Sequence, residues 1–211
     1  MKKRLALIGS RDLAQLIIDQ AIATGEYEIF GYFDDFEENG TVVNGYKVYG
    51  KVDDAITMFK HGLFDCIFIA IGYGHFDARE RFYDKVKGII PLATIISSGA
   101  FVDKTAIIGE GVYIAYGTQI GRYCVVEDNV LIGCSILGHN NFVGKHTYIS
   151  GNMSMAGFSS IGRRCFLGIG VLVNEKISIC DDTWIGIGMI VYKNIKKSGK
   201  YAVFQKIIKI D

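Results

Sequence analysis

An aliphatic residue returns every six positions through the second half of the 211-residue chain. A first series runs from Val102 to Ile132, and a second series runs with the same spacing from Leu137 to Val191. A hexapeptide repeat of this kind is typical of a parallel β-helix, in which each short strand forms one side of a coil and the aliphatic side chain points inward. Three sides give a coil of about eighteen residues.

The two series are joined by a five-residue step from Ile132 to Leu137, which ends inside the stretch CSILGHNN (134–141). One corner of the predicted β-helix is therefore one residue short. His139 follows this step, and a coil of about eighteen residues stacks Gly157 over it. Because glycine has no side chain, the stacking leaves room beside the imidazole, and the Gly157 N–H can face a carbonyl oxygen. His139 is thus a candidate catalytic residue, or else an incidental surface histidine.

Before Pro91 the pattern changes to alternating strands and helices. Strands are predicted in RLALIG (4–9), YEIFGYFDD (27–35) and FDCIFIAIG (64–72), and a helix is predicted in ARERFYDKV (78–86). An earlier helix, with Asp12 as its N-cap, has an apolar stripe of Leu13, Leu16, Ile17 and Ala21. This alternation predicts a Rossmann-like α/β domain with a small parallel sheet over residues 1–91, followed by the β-helix over residues 92–211.

Glycines and carboxylates stand at the ends of these predicted strands, where parallel sheets bind ligands. Glycine lets the backbone approach a phosphate, and a carboxylate after the second strand accepts hydrogen bonds from a ribose or a base. The loop GSRDLA (9–14) is not G-x-G-x-x-G, which disfavours NAD, and the same residue types also suit ordinary turns. The candidate acceptor-binding residues are Gly9, Ser10, Asp34, Asp35, Gly72 and Tyr73.

Composition excludes several classes of protein. The net charge is +1 and the basic residues form no long block, so nucleic-acid binding is not expected. The opening MKKRLALIGS has too short an apolar run for a signal peptide or a membrane span, which predicts a cytoplasmic protein. The five cysteines lack a C-x-x-C spacing, so neither a disulfide framework nor a metal site is expected.

The repeat resembles that of the hexapeptide acyltransferases, whose β-helix is left-handed. The two-part layout is more similar to the bacterial sugar acetyltransferases that make bacillosamine and related amino sugars, and to the sialic acid O-acetyltransferases. The most specific segment is IGRRCFLGIGVLVNEKISICDDTWIGIGMIVYKNI (161–195), which is similar to the family's I-G-x-x-C-F-L-G-I and D-D-x-x-I-G-x-G motifs.

This resemblance implies acetyl transfer from acetyl-CoA, without a metal, to the amino group of a sugar linked to UDP or dTDP, in the synthesis of bacterial surface glycans such as lipopolysaccharide. It implies a homotrimer with active sites between neighbouring chains. His139 takes the place of the general base, supported by Asn140 and Gly157, and imidazole, with an unperturbed pKa of ~6.5, suits that task. The implied coenzyme-binding residues are Tyr148, Gly157, Gly168, Ile169, Gly186 and Ile187.

Three departures from the family pattern accompany this resemblance. In GSRDLA, Asp12 and Leu13 replace a glycine and a histidine of the usual nucleotide loop. Asn140 stands where a carboxylate commonly follows the catalytic histidine, and it can orient the ring but not stabilise an imidazolium by charge. The ending GKYAVFQKIIKID (199–211) replaces the usual G-x-P-A-K, which predicts a different contact with the adenosine end of the coenzyme.

Two alternatives stay open at this stage. One is O-acetylation of a sugar hydroxyl, which needs firmer base assistance than an amine; the neutral Asn140 mildly favours the amine. The other is a non-enzymatic β-helix that serves in assembly, with the histidine incidental.

Overall fold

The computed structural model describes residues 1–203, and its N-terminal region is a small parallel sheet flanked by helices. The elements of this region are β1 (Lys3–Ile8), α1 (Asp12–Thr24), β2 (Tyr27–Phe33), β3 (Val42–Val43), β4 (Tyr46–Lys47), α2 (Asp54–Lys60), β5 (Cys66–Ile69) and α3 (Phe76–Val86). In the parallel sheet, β1 lies between β2 and β5, while β3 and β4 form an antiparallel hairpin. A short 3-10 helix, Tyr73–His75, precedes α3.

Helices cover both faces of this sheet, which explains why the strands are apolar without alternation. All of β5 and the second part of β1 are buried. The side chains of α1 pack on one face of the sheet, while α2 and α3 pack on the other. The predicted strand and helix order is confirmed.

The predicted details of α1 are partly wrong. Asp12 is the first helical residue, and the N-cap is Arg11, which makes no capping hydrogen bond with its side chain. The helix buries Ala14 and Ile18 beside Ile17 and Ala21, whereas Leu16 is 46% exposed. The buried face of α1 is therefore rotated relative to the predicted stripe.

The second region is a parallel β-helix built from strands of two or three residues. They are β6 (Ile95–Ile96), β7 (Phe101–Val102), β8 (Ile107–Ile108), β9 (Tyr113–Ile114), β10 (Gln119–Ile120), β11 (Val125–Val126), β12 (Leu131–Ile132), β13 (Ile136–Leu137), β14 (Phe142–Val143), β15 (Tyr148–Ile149), β16 (Ser154–Met155), β17 (Ser160–Ile161), β18 (Phe166–Leu167), β19 (Leu172–Val173), β20 (Ser178–Ile179), β21 (Thr183–Ile185), β22 (Ile190–Val191) and β23 (Gly199–Tyr201). The predicted β-helix is confirmed.

These strands form three parallel sheets, the sides of a prism. Face 1 contains β6, β9, β12, β15, β18, β21 and β23; face 2 contains β7, β10, β13, β16, β19 and β22; face 3 contains β8, β11, β14, β17 and β20. We call the edges between them the 1–2, 2–3 and 3–1 edges, in the order in which the chain turns them. The second residue of nearly every strand points inward, and these residues form one core inside the prism. The six-residue period is the reason, since it returns an inward position on each side of the coil.

The N-terminal region covers part of face 1. Ile95, Tyr113 and Leu131 share a buried core with α1 and the sheet. Polar contacts continue this interface, where the buried Arg79 of α3 donates through Nη2 to Asn129 O at 2.6 Å and to Asn129 Oδ1 at 3.0 Å. No helix within residues 1–203 is both long and apolar enough to cross a membrane.

The same interface buries His146, at the 3–1 edge. Its Nδ1 accepts a hydrogen bond from Asn129 Nδ2 at 2.9 Å, and its ring meets that of Tyr83 edge-on with centroids 5.0 Å apart. Burial lowers the pKa of His146 from 6.5 to about 4, although the nearby Glu80 acts in the opposite direction. The folded protein therefore keeps this imidazole neutral in mild acid.

This burial predicts an acid-dependent loss of stability. Between pH 6.5 and about 4 the unfolded chain binds a proton at His146 that the folded protein does not, so stability falls as the pH falls. Asparagine in place of His146 tolerates the left-handed backbone at φ 63°. In the His146→Asn variant, the fall in Tm between pH 6.5 and about 4 should be smaller than in the wild-type protein by on the order of 5 °C. Thermal unfolding of both proteins at a series of pH values measures it, and parallel Tm curves would contradict it.

Candidate active site

His139 lies on the 2–3 edge, between β13 and β14, and its side chain is exposed. Its Nδ1 lies 3.0 Å from Asn140 Oδ1, and its ring meets the Phe158 ring edge-on with centroids 4.9 Å apart. Asn140 occupies a left-handed turn position at φ 56°, which asparagine tolerates well. Because Oδ1 only accepts, this hydrogen bond requires a proton on Nδ1 and leaves the Nε2 lone pair free. The ring is thus oriented to accept a proton at Nε2.

Gly157 stacks beside His139 as the coil length predicts. A Cβ on Gly157 would lie 2.8 Å from His139 Cε1 and 2.9 Å from Nε2. Gly168 is a contrast, since a Cβ there would instead meet backbone, at 2.8 Å from Ile187 N. Within the chain, the absence of a side chain at Gly168 permits the close stacking of coils, whereas the missing side chain of Gly157 makes space for the imidazole.

The short corner lies before β13, on the 1–2 edge, and not at His139 itself. Leu131 of β12 pairs with Tyr148, seventeen residues along, but Ile136 pairs with Ser154 at the normal spacing of eighteen. Cys134 lies within the short corner and is exposed. A Cβ on Gly117 would lie 2.9 Å from its Sγ. The register is restored at β13, so the position of His139 follows from the turn at Asn140 and the space at Gly157.

The candidate coenzyme residues other than Gly157 lie away from His139 within one chain. Gly168, Ile169, Gly186 and Ile187 lie on the 1–2 edge, separated from His139 by face 2. Ile169 and Ile187 are exposed, and a Cβ on Gly186 would meet Ala202 Cβ and Tyr201 O, each at 3.2 Å. Residues 204–211, most of the atypical ending, lie outside the described residues.

Tyr148 lies on face 1 and points toward the N-terminal region. Its ring packs against Tyr73, with centroids 5.1 Å apart, and against Phe166, at 5.9 Å. Tyr73 also contacts Phe166 at 4.5 Å and Trp184 at 5.6 Å, so one ring from the sheet region meets three aromatic rings on successive coils. Tyr148 and Tyr73 therefore join the two regions, and neither side chain lies at the 2–3 edge.

A cavity of about 470 Å³ opens where β1, β2 and β5 end. Its lining includes Gly9, Asp34, Asp35 and Gly72 of the predicted acceptor residues. Ser10 does not line it, because its hydroxyl is buried and donates to Asp34 Oδ2 at 2.7 Å. The strand ends thus converge on one cavity.

The two aspartates after β2 differ in how many hydrogen bonds their carboxylate oxygens accept within the chain. Asp34 is buried and its oxygens accept from Ser10 N at 2.9 Å, from Ser10 Oγ, and from Phe36 N at 2.9 Å. Asp35 is exposed, and its Oδ1 accepts from Val52 N at 3.0 Å, while its Oδ2 has no partner within residues 1–203. Asp34 therefore fixes the turn, and Asp35 is the carboxylate available to a ligand.

Further cavity-lining residues were not predicted as site residues. They are Arg11, Phe36, His75 and Arg81, among others. Arg11 stood inside the loop noted for its departure from the family pattern, and Phe36 directly follows the two aspartates, so both carried a local signal. Arg81 carried none, since it is one charged residue on a helix. Within residues 1–203 no group of three His, Cys, Asp or Glu side chains has a geometry suited to a metal ion.

Comparison with known proteins agrees with this architecture. Residues 4–86 match the PglD N-terminal domain. PerB from Caulobacter crescentus, solved with CoA and GDP-perosamine, is 25% identical with a TM-score of 0.87, and the match covers 95% of this chain and 94% of PerB. The acetyltransferase domain of PglB from Neisseria gonorrhoeae, solved with acetyl coenzyme A, is 23% identical with a TM-score of 0.86, covering 96% and 97%.

A curated relative matches part of the chain. The UDP-3-O-acylglucosamine N-acyltransferase of Herminiimonas arsenicoxydans is 35% identical over 107 residues, which are 48% of this chain and 31% of the relative. The chain thus spans about a third of the length of that enzyme. Together the fold and these matches show an architecture that this chain shares with the acetyltransferase domain of PglB and with PerB. More specifically, a match to the PglD N-terminal domain precedes the β-helix in this chain, and the likeness to PglB and PerB extends over both regions.

Proposed function

We propose that this protein transfers an acetyl group from acetyl-CoA to the amino group of a nucleotide-linked amino-deoxy sugar. The observation that carries the proposal is the His139 imidazole, which occupies space left by Gly157 while Asn140 fixes its tautomer. The likeness to PerB, whose structure holds CoA and GDP-perosamine, supports the choice of substrates.

In this mechanism the sugar amine attacks the thioester carbonyl carbon, and His139 Nε2 accepts the proton that the nitrogen loses. The tetrahedral oxyanion is stabilised by a backbone N–H, for which Gly157 is the candidate because its N–H has no acceptor within residues 1–203. The C–S bond then breaks, the amide forms, and the proton on His139 passes to the departing CoA sulfur. Since the thioester is already activated, no covalent enzyme intermediate is needed and positioning supplies much of the rate.

The acceptor's nucleotide is assigned to the cavity at the ends of β1, β2 and β5, which makes residues 1–91 the acceptor domain and residues 92–211 the acetyltransferase domain. UDP or dTDP is the proposed nucleotide. The product is an N-acetylated sugar for bacterial surface glycans such as lipopolysaccharide, made in the cytoplasm.

We further propose that the protein works as a homotrimer. Faces 2 and 3 present outward apolar side chains that the chain itself leaves exposed, namely Phe101, Ile107, Ile136, Phe142, Leu172 and Ile190. Packing a second copy there buries this surface. It also brings the 1–2 edge of one copy, with Gly168 and Gly186, near His139 of another, which completes a coenzyme site that one chain lacks. Light scattering that shows an active monomer would contradict the trimer.

A turnover assay tests the proposed activity. The protein is incubated with acetyl-CoA and a panel of UDP-, dTDP- and GDP-linked amino sugars, release of the CoA thiol is followed, and the product is examined by mass spectrometry. An acetylated amine supports the proposal, and an acetylated hydroxyl supports the O-acetyltransferase alternative. If no sugar is acetylated and neither acetyl-CoA nor a nucleotide sugar raises the Tm, the β-helix serves another purpose.

Asn140→Asp is expected to move the acid-side limb of kcat/KM to higher pH. Asn140 Oδ1 lies 3.0 Å from His139 Nδ1, so a carboxylate in its place favours the imidazolium, and a higher pH is then needed to keep the base unprotonated. Aspartate also tolerates the left-handed turn. Rate profiles of both proteins between pH 5 and 9 measure the shift, and a limb that stays in place or moves to lower pH would contradict the contact.

Asp35→Ala is expected to raise the acceptor KM about 5- to 100-fold while leaving the acetyl-CoA KM unchanged, because a hydrogen bond between the ligand and the free Asp35 oxygen is lost. Asp35→Asn is the matched control, since it keeps an acceptor for Val52 N and so separates loss of the ligand contact from disorder of the loop. Equal effects on both substrates would remove Asp35 from the acceptor site.

A further inference from the structure

We infer that the acceptor's nucleoside diphosphate is recognised by two side chains outside the expected motif: Phe36, on which the base stacks, and Arg11, which binds the diphosphate. The inference rests on the proposed function and specifies how its acceptor site reads the nucleotide.

Phe36 places an exposed aromatic ring at the cavity. It is 90% exposed and lines the cavity beside Asp35, although a free apolar ring of this size normally packs into a core. Its backbone is fixed, because Phe36 N donates to the buried carboxylate of Asp34 at 2.9 Å. A firmly anchored backbone with a solvent-facing ring is the arrangement of a stacking platform for a nucleobase.

Arg11 stands at the turn between β1 and α1, where the phosphates of nucleotides bind in parallel α/β folds. Its side chain is 77% exposed, lines the cavity, and forms an ion pair with Glu37 in which Nη2 lies 2.9 Å from Oε1. A guanidinium has five N–H donors, and this ion pair uses only part of them. Glu37 thus holds Arg11 at the cavity while donors remain for a bidentate contact with phosphate.

The order of these residues matches the order of a nucleotide's parts. In such folds the phosphates lie at the first turn and the ribose at the carboxylate after the second strand. Here Arg11 lies at the phosphate position and Asp35 at the ribose position. Phe36 directly follows Asp35, on the side to which the base extends from the ribose. This accounts for the loop GSRDLA, since a charged side chain takes over the phosphate contact that a glycine-rich backbone makes elsewhere.

Other charged groups face the same space. His75 and Arg81 line the cavity from the chain after β5, while Asp34 and Asp35 line it after β2. Asp12, in the first turn of α1, reduces the attraction of that helix end for an anion. Arg81 and His75 lie on the other side of the cavity, so Arg11 is the cation at this turn that offsets Asp12 and attracts a diphosphate.

Titration calorimetry of the full chain with UDP, dTDP and GDP tests the inference. Phe36→Ala should weaken binding of the preferred nucleotide about 5- to 100-fold and bring the three affinities closer together, while Phe36→Trp keeps the affinity. Arg11→Gln should weaken all three nucleotides alike and reduce the salt dependence of binding, and Arg11→Lys should restore most of both. Val42→Ala, which alters another exposed apolar residue, is the control and should change nothing.

The outcomes separate this inference from the proposed function. If the wild-type protein binds a nucleotide and neither Phe36→Ala nor Arg11→Gln changes its affinity, the inference is wrong and the acceptor assignment stands. If the wild-type protein acetylates a sugar but binds no free nucleotide, the inference is again wrong. If it neither binds a nucleotide nor acetylates any sugar on the panel, the proposed function is overturned together with the inference.

Discussion

Replacing His139 with alanine is expected to lower kcat by about 10²- to 10⁴-fold while the affinities for acetyl-CoA and the acceptor stay nearly unchanged. The imidazole accepts a proton only on the way to the transition state, so its loss removes little ground-state binding. The fold should survive, because the side chain is exposed on the 2–3 edge and fills no part of the core. Steady-state kinetics and calorimetry with each substrate measure these quantities.

The pH dependence gives an independent check on this role. The acid-side limb of kcat/KM in the wild-type protein should flatten in the His139→Ala variant. His61→Ala is a matched control, since His61 is an exposed histidine at the end of α2, outside both the cavity and the β-helix edges. An alanine variant at 139 with wild-type turnover would remove His139 from the mechanism, and an amine already deprotonated in the site would then be the simpler account.

The β-helix was predictable almost coil by coil from the sequence. Its inward positions are aliphatic on every side, so aliphatic residues recur every six positions in the sequence. The single five-residue step that ends at Leu137 is visible in the same pattern. The strand pairing confirms that this corner is one residue short. Because Ile136 and Leu137 pair normally with Ser154 and Met155, the missing residue is absorbed at the preceding corner and does not reposition His139.

The N-terminal region was harder to predict in detail because its burial depends on what packs against it. Leu16 belongs to a plausible helical stripe, yet it is half exposed because α1 packs jointly on its own sheet and on face 1 of the β-helix. The same applies to Tyr73, whose place at a strand end suggests a ligand. Its ring instead contacts Tyr148 on face 1 of the β-helix. The sequence around Tyr73 does not show which surface packs against it.

The glycines of the β-helix show what a sequence motif leaves undetermined about the site. In sequence, Gly168 and Gly186 directly follow the inward residues Leu167 and Ile185, whereas Gly157 stands two residues after an inward position, at the place that His139 takes one coil earlier. The fold adds what each missing side chain leaves room for, because a Cβ would meet an imidazole at Gly157 but mainly the next turn of the chain at Gly168 and Gly186. Arg11 and Phe36 needed the fold as well, since their significance comes from lining one cavity with Asp35.

Gly157→Ala is expected to lower kcat about 10- to 100-fold without a comparable loss of stability. The new methyl group would lie 2.8 Å from His139 Cε1, so the imidazole must move, and a displacement approaching 1 Å at a catalytic group costs up to about 10²-fold in rate. Gly151→Ala is the matched control, because a Cβ at that position in the preceding corner meets nothing within 4 Å. Both variants should unfold near the wild-type Tm, and only the first should lose turnover.

The double variant decides whether Gly157 acts through the histidine. In a His139→Ala background there is no imidazole to displace, so adding Gly157→Ala should change kcat little, and the two effects should be strongly non-additive. A further 10- to 100-fold loss in the double variant would mean that the added methyl blocks the thioester or disturbs the Gly157 N–H directly. In that case Gly157 would belong to the acetyl-binding surface, and the space it leaves for His139 would not be its contribution to the rate.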